Sequence, residues 1–393
     1  MQDVLAPWIA ALRHDLDTRR SAHLFRELRE VAGPQGPTLR VDGTQYLQFS
    51  TNNYLGLASD PALVDAARTA LDKYGVGAGA SRLVAGSMEL HHELERALAE
   101  FKGAEAALLC PTVFTANLAV LTTFAGPGDL VVSDKLNHAS LLDGARYSGA
   151  ECRTFPHRAY DRVAALLTRD ANPRRRFLVT DTVFSMDGDI ADLPAACAGA
   201  TASSALIILD EAHATGVLGE QGRGAAEAQR VESSVALSVG TLSKAFGSVG
   251  GFITGPRPAI DMLINAGRSF IYTTALPPAC SAASLAALRL IQSAEGRRRR
   301  QRVLRLAASI KRELESLGFN CGQSCTPIIP ILLGAPERAL AAAAHLKERG
   351  IWVPAIRPPT VPRGQARLRI SLMATHTDAH VEQLLHELKK MRP

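Results

Sequence analysis

The sequence predicts an α/β fold, a large and mostly parallel sheet covered by helices, followed by a smaller α+β portion. Three observations predict it. Five short apolar runs, AALLC (106–110), DLVVSD (129–134), RFLVTDTVF (176–184), ALIILDEAH (205–213) and SVALSVGT (234–241), have the length and apolar character of buried strands. Helical periodicity separates them, which suits crossover connections. After about residue 285 the texture changes to long helices with two isolated strand-like runs. The predicted division is an N-terminal arm at 1–45, a large domain at 46–285 and a C-terminal α+β domain at 286–393.

Taken in order, the first stretch reads as a polar helix ending before the GPQGP turn, and TLRVDG and QYLQFS follow as short strands. PALVDAARTALDKY (61–74) and SMELHHELERALAEFKG (87–103) are amphipathic helices, and TVFTANLAVLTTFA (112–125) is a helix opening directly after the strand AALLC. In the last portion VLRLAASIKRELESL is helical, TPIIPILLG and RLRISLMA are strand-like, and a helix closes the chain.

Composition excludes several classes. The 393 residues are 47% hydrophobic and 21% charged, so the chain buries a core and is not disordered. Lys plus Arg less Asp plus Glu is 44 − 38 = +6, a modest excess. Its densest cluster, Arg297 to Arg300 with Arg302, is either a solvated helix face or a patch for an acidic partner; no aromatic residues interleave it, which argues against nucleic acid. No apolar run reaches the ~20 residues of a bilayer span, and the first residues lack a secretory pattern. The six cysteines are scattered without a C-x-x-C pair. A cytoplasmic protein with no metal and no membrane contact is the expectation.

Three motifs lead nowhere. Asp210–His213 spells DEAH, but no Gly-Lys dipeptide exists to build a triphosphate loop. Gly75, Gly77 and Ala80 fit G-x-G-x-x-A, yet a helix rather than a strand precedes them. His91, His92 and Glu95 lie at helical spacing with no third metal ligand in view.

A different constellation carries chemistry. The apolar strand ALIIL ends in Asp210, with His213 three residues on, and a carboxylate there is costly without a cation. The strand SVALSVGT ends in Thr241, followed by Lys244 on a loop bordered by Gly247, Gly250 and Gly251. The helix opened by Thr112 to Asn117 turns first-turn N–H groups and hydroxyls toward the same strand ends, which suits a phosphate. An amine able to form a Schiff base, an acid for a ring nitrogen and a phosphate cradle suit pyridoxal 5′-phosphate.

Over essentially its full length the chain resembles the α-oxoamine synthase family of fold-type I pyridoxal-phosphate transferases. The resemblance is carried by STNNYLGL, GAGASRLVAG, LNHASLLDG, VFSMDGDIADL, LDEAHATGVLGEQGRG, GTLSKAFGSVGG, IYTTALPP and RLRISLMATH. It implies that Lys244 bonds the cofactor and later moves protons at the substrate Cα. It implies also that Asp210 pairs with the pyridinium nitrogen, that His213 contacts the ring hydroxyl and that His138 stacks on the ring. Ser185 and Thr241 match further cofactor contacts, Val113 and Phe114 the phosphate-binding helix start, and Thr274 a contact given by the neighbouring subunit of a homodimer. Arg369 matches the holder of the amino-acid carboxylate, with Arg367 as the surface member of the pair. Asn52 lies near that carboxylate, and Arg26 and Thr360 match acyl-substrate contacts. The segment AIRPPTVPRGQARLRISL most resembles the biotin-pathway member that joins L-alanine to a pimeloyl thioester of coenzyme A or acyl carrier protein. The alternative is a sister reaction of glycine with another acyl thioester. Pro111-Thr112-Val113-Phe114 departs from the Ser-Gly that many relatives carry there, which sets a valine where glycine would allow unusual backbone angles.

Overall fold

The computed structural model describes residues 2–169 and 173–391. A seven-stranded sheet forms its centre. In chain order its strands are β1 (Ala106–Cys110), β2 (Leu130–Asp134), β3 (Glu151–Phe155), β4 (Arg176–Asp181), β5 (Leu206–Asp210), β6 (Leu237–Thr241) and β7 (Gly251–Gly255). In space they run β1-β7-β6-β5-β4-β2-β3. The pairs β6–β5, β5–β4, β4–β2 and β2–β3 are parallel, and β7 is antiparallel to both neighbours. Successive residues of each strand serve opposite faces. Thus Val132, Leu178, Ile207 and Leu209 enter one apolar cluster, while Val131, Phe177, Val179 and Ile208 enter the other.

The five strands read from the sequence are present. The two others gave no signal for physical reasons. Edge strand β3 is mostly exposed and carries the polar string ECRTF. Strand β7, GFITG, begins and ends in glycine because its neighbours press close: a Cβ on Gly251 would lie 2.6 Å from the backbone of Thr112 and Val113.

The helix α1 (Gln2–Ser21) begins the described chain. The helix α2 (Val113–Phe124) starts at Thr112, whose hydroxyl accepts from the Thr115 N–H (3.1 Å). The helix α3 (Ala139–Ser148) starts at His138, and α4 (Pro278–Gln292) and α5 (Ala294–Ser316) lead into the C-terminal portion. There β8 (Ile328–Gly334), β9 (Ala355–Ile356) and β10 (Ala366–Ser371) form an antiparallel sheet in the order β8-β10-β9. Its own apolar cluster joins Val303, Ile310 and Leu314 of α5 to Ile329, Ile331, Leu368 and Ile370, and takes in Leu47 and Phe49. The strand Thr44–Gln48 pairs in parallel with Ile351–Trp352. The division expected at 45/46 therefore falls inside a strand, and that at 285/286 inside α4.

Three members of the arginine cluster turn inward to the protein. Arg299 reaches Asp60 and the Leu55 carbonyl, buried Arg300 the carbonyls of Ile291 and Glu220, and Arg302 those of Ala374 and His376. These three fasten α5 to the rest of the molecule.

Candidate active site

Parallel strands end together, so the loops after β4, β5 and β6 converge on one cleft. Asp210, the last residue of β5, is buried. Its Oδ1 accepts from the Ala212 N–H (2.8 Å) and its Oδ2 from Asn117 Nδ2 (2.7 Å) on α2. The Asn117 amide also donates to Ser140 Oγ (2.8 Å), which leaves the Ser140 hydroxyl proton for His138 Nδ1 (2.7 Å). The Ser140 backbone N–H points at the same nitrogen (3.3 Å). His138 is thereby held as the tautomer with its proton on Nε2. The backbone N–H of His138 donates to Asp181 Oδ2 (2.7 Å), which ends β4 opposite Asp210.

Lys244 follows β6. Thr241 Oγ1 donates to the Gly250 carbonyl (3.0 Å) and accepts from the Ser243 N–H (3.2 Å), so the threonine braces the loop that carries the lysine. Burial lowers the Lys244 pKa to about 8 against the opposing pull of Asp210 and Asp181. Burial and the adjacent Asp210 charge hold Asp181 well above the usual carboxylate range. Partial burial of its ring and the Lys244 charge lower His138, and burial lowers His213 further, with Lys244 and Arg369 adding to it. Both imidazoles are neutral at pH 7.

Arg369, on β10, forms the opposite wall. Its Nε donates to the Ser185 carbonyl (2.6 Å), Nη1 to Ser371 Oγ (2.6 Å) and Nη2 to Asn52 Oδ1 (3.1 Å). The Tyr54 hydroxyl lies 2.7 Å from His213 Nδ1 and 3.2 Å from Asn52 Oδ1, linking the arginine to the histidine. Burial raises the Tyr54 phenol to about 12, so it remains a donor. Lys244, Asp210, His213, His138, Arg369, Asn52 and Ser185 thus share one cleft.

The remaining predicted residues sit around it. Val113 and Phe114 form the first turn of α2, and Val113 keeps a negative φ, so an ordinary helical backbone accommodates the valine expected to be awkward there. Thr274 is exposed and bridges to Ser81. Arg26 donates to the Pro358 carbonyl (3.1 Å), and exposed Thr360 follows two residues later. Arg367 departs from expectation: it is buried, paired with Asp187 (2.6 Å), because residues 367 and 369 point to the same face of β10. Among the described residues no group of side chains could hold a metal ion. His91 is buried against the Leu276 carbonyl, and Glu95 pairs with Arg82. Sequence reasoning missed Asn117, Ser140, Tyr54 and Asp181 as site residues. For Asn117 the signal available was an amide within the otherwise apolar helix VFTANLAVLTTF.

Residues 44–388 match the model of the family described as aminotransferase class I and II. The chain belongs to the aminotransferase class I and II family. It is 48% identical over 374 residues to the 8-amino-7-oxononanoate synthase of Stutzerimonas stutzeri, covering 95% of this chain and 94% of that one. Over 377 residues it is 45% identical to the enzyme of the same name from Geobacter sulfurreducens, covering 96% of each. Among solved structures, a serine palmitoyltransferase of S. paucimobilis with a bound PLP–myriocin aldimine aligns at a TM-score of 0.91 and 31% identity, over 97% of this chain and 96% of that one.

The cofactor of this fold-type I enzyme is pyridoxal 5′-phosphate, and the residues present fit it. A half-buried lysine amine, a buried carboxylate with lone pairs left beyond its two donors, and a capped helix start face one cleft. The close approach of Gly251 to Thr112 leaves no room for a side chain behind that helix start.

Proposed function

We propose that this chain catalyses the condensation of L-alanine with a pimeloyl thioester, of coenzyme A or acyl carrier protein, to 8-amino-7-oxononanoate, CO2 and the free thiol carrier, a step of biotin biosynthesis. The observation that carries the reading is the convergence of Lys244, Asp210 and Arg369 on one cleft, in a chain 44–48% identical to relatives of that name.

When bound, pyridoxal phosphate supplies the electron sink for a carbanion at the amino-acid Cα. Lys244 is the residue that would hold it covalently, Asp210 its ring nitrogen, His213 its ring hydroxyl, and the α2 start with Val113 and Phe114 its phosphate. Thr274 of a second copy would complete the phosphate site. Arg369 offers a guanidinium fork to the alanine carboxylate, with Asn52 fixing the fork's orientation. Lys244, neutral above about pH 8, takes the Cα proton and returns one after CO2 leaves. The Nε2–H of neutral His138 donates to the thioester carbonyl oxygen as negative charge develops there. Arg26 and Thr360 meet the acyl chain beyond.

Exposed Val76, Val84 and Tyr272 support a homodimer, since they leave an apolar surface near Ser81 and Thr274 uncovered. Six free cysteines, two of them exposed, support a cytoplasmic location. The test is mass spectrometry of products after incubating the purified protein with alanine or glycine and with pimeloyl, acetyl, succinyl or long-chain thioesters. Alanine with a pimeloyl thioester should give the 8-amino-7-oxo acid. A preference for glycine with another thioester would replace this reading with the sister reaction.

A further inference from the structure

Away from the cleft, a histidine lies between two buried carboxylates. His157 sits in the turn after β3. Its Nδ1 is 3.0 Å from Asp134 Oδ2, and its Nε2 is 3.0 Å from Asp189 Oδ2. A carboxylate accepts only, so both ring nitrogens must donate, and only the imidazolium has two N–H groups. Burial alone would lower its pKa, but the two aspartates outweigh burial and raise it to about 9. Arg158 also faces this cluster: its N–H donates to Asp134 (2.9 Å) and its guanidinium lies 3.4 Å from Asp189. The Phe184 ring meets the imidazole edge-on, with ring centres 4.3 Å apart. Buried Tyr160, whose phenol burial holds above its ordinary value, also feels the charges of Asp134, Asp189 and Arg158.

The two aspartates belong to segments that carry the site. Asp134 ends β2, four residues before His138. Asp189 lies on a hairpin closed by the Val183–Ile190 bridge, with the Phe184 N–H donating to the Asp189 carbonyl (3.1 Å). At that hairpin's tip, the Ser185 carbonyl receives Arg369 Nε, and Asp187 receives Arg367. On its far side the Gly188 carbonyl accepts from the Cys325 N–H and Thr326 hydroxyl.

From this geometry we infer that His157 is a positioning residue for amino-acid binding: it clamps the Ser185 hairpin to the end of β2 and so fixes the carbonyl that orients the Arg369 guanidinium. The inference rests on the reading of Arg369 as the carboxylate holder. Without the clamp the hairpin can shift, and the cost falls on capture of the amino acid rather than on the proton transfers at Lys244.

Two measurements on the cofactor-loaded protein test this. In His157→Gln and Asp189→Asn, the KM for alanine should rise about ten-fold or more while kcat changes less than about three-fold. The double variant should be no worse than the more affected single one. In the unsubstituted protein, nitrogen NMR of the His157 ring should show both nitrogens protonated at pH 7.5. A KM unchanged in both folded variants overturns the clamp, and so does a neutral His157 ring at pH 7.5. The NMR arm stands even where a variant fails to fold. Failure of the proposed function would show itself differently, as absence of product from alanine in the unsubstituted protein.

Discussion

Lys244 concentrates the chemistry in one side chain. Lys244→Ala is expected to lower turnover by at least about a thousand-fold and to remove the visible absorbance of the bound cofactor; a yellow, active variant would refute the assignment. Its pKa of about 8 gives a second test. Only the neutral amine attacks an aldehyde, so the rate at which cofactor-free protein captures pyridoxal phosphate should climb with pH and level off near 8. A lysine at its ordinary value would keep climbing toward 10.5. Asn117 is the quieter partner, joining Asp210 to Ser140 and through it to His138. Asn117→Leu should weaken cofactor binding roughly 10- to 100-fold, the range for a hydrogen bond lost from a buried charge, as read by fluorescence titration. These residues differ in how far the sequence reveals them. Asp210 and Lys244 stand at the ends of apolar strands, where polar residues are conspicuous. Asn117 is a lone amide in the mostly apolar helix VFTANLAVLTTF, and only folding shows that it is fully buried and turned toward Asp210. Asp181 reads as an ordinary strand end until the parallel register sets it beside Asp210.

At the level of elements, position depends on close approach. Gly251→Ala would drive a methyl into the backbone of Thr112 and Val113, separating β7 from the start of α2. Such crowding typically costs about 1–3 kcal/mol, so chemical denaturation should show the loss and cofactor affinity should fall with it. Unchanged affinity would mean that the helix start does not hold the phosphate. The turn after β3 makes a pH prediction. His157 has a folded pKa of about 9, above its ordinary 6.5. Its contribution is fully present below pH 6.5 and disappears as pH rises through 9. The rise from 6.5 to about 9 corresponds to roughly 3 kcal/mol in all; melting between pH 7 and pH 10 should register most of it, and His157→Gln should abolish it. The buried parallel strands were legible because both their faces are covered. The edge strand β3 and the glycine-bounded β7 were not, since neither needs an apolar sequence.

Over the whole molecule, the site straddles two apolar cores. Leu242, Ala245 and Phe246 around Lys244 belong to the cluster under the large sheet, whereas Leu368 and Ile370 around Arg369 belong to the C-terminal cluster. The sequence shows a change of texture near residue 285 but not how the two cores join: α4 runs straight through that point, and Leu47 and Phe49 of the early chain enter the later core. Arginines 299, 300 and 302 show the same limit, because a run of like charges reads as a surface until its carbonyl partners are known. An amino acid with its nitrogen at the cofactor site beside Lys244 and its carboxylate on Arg369 would have one end on each core. L-Alanine therefore acts as a tie-bar, and its occupancy should raise the melting temperature of the loaded protein, while Arg369→Ala should erase that increment and leave the cofactor's own stabilisation intact. The two halves of the molecule then hold together most firmly when the smallest thing between them is in place.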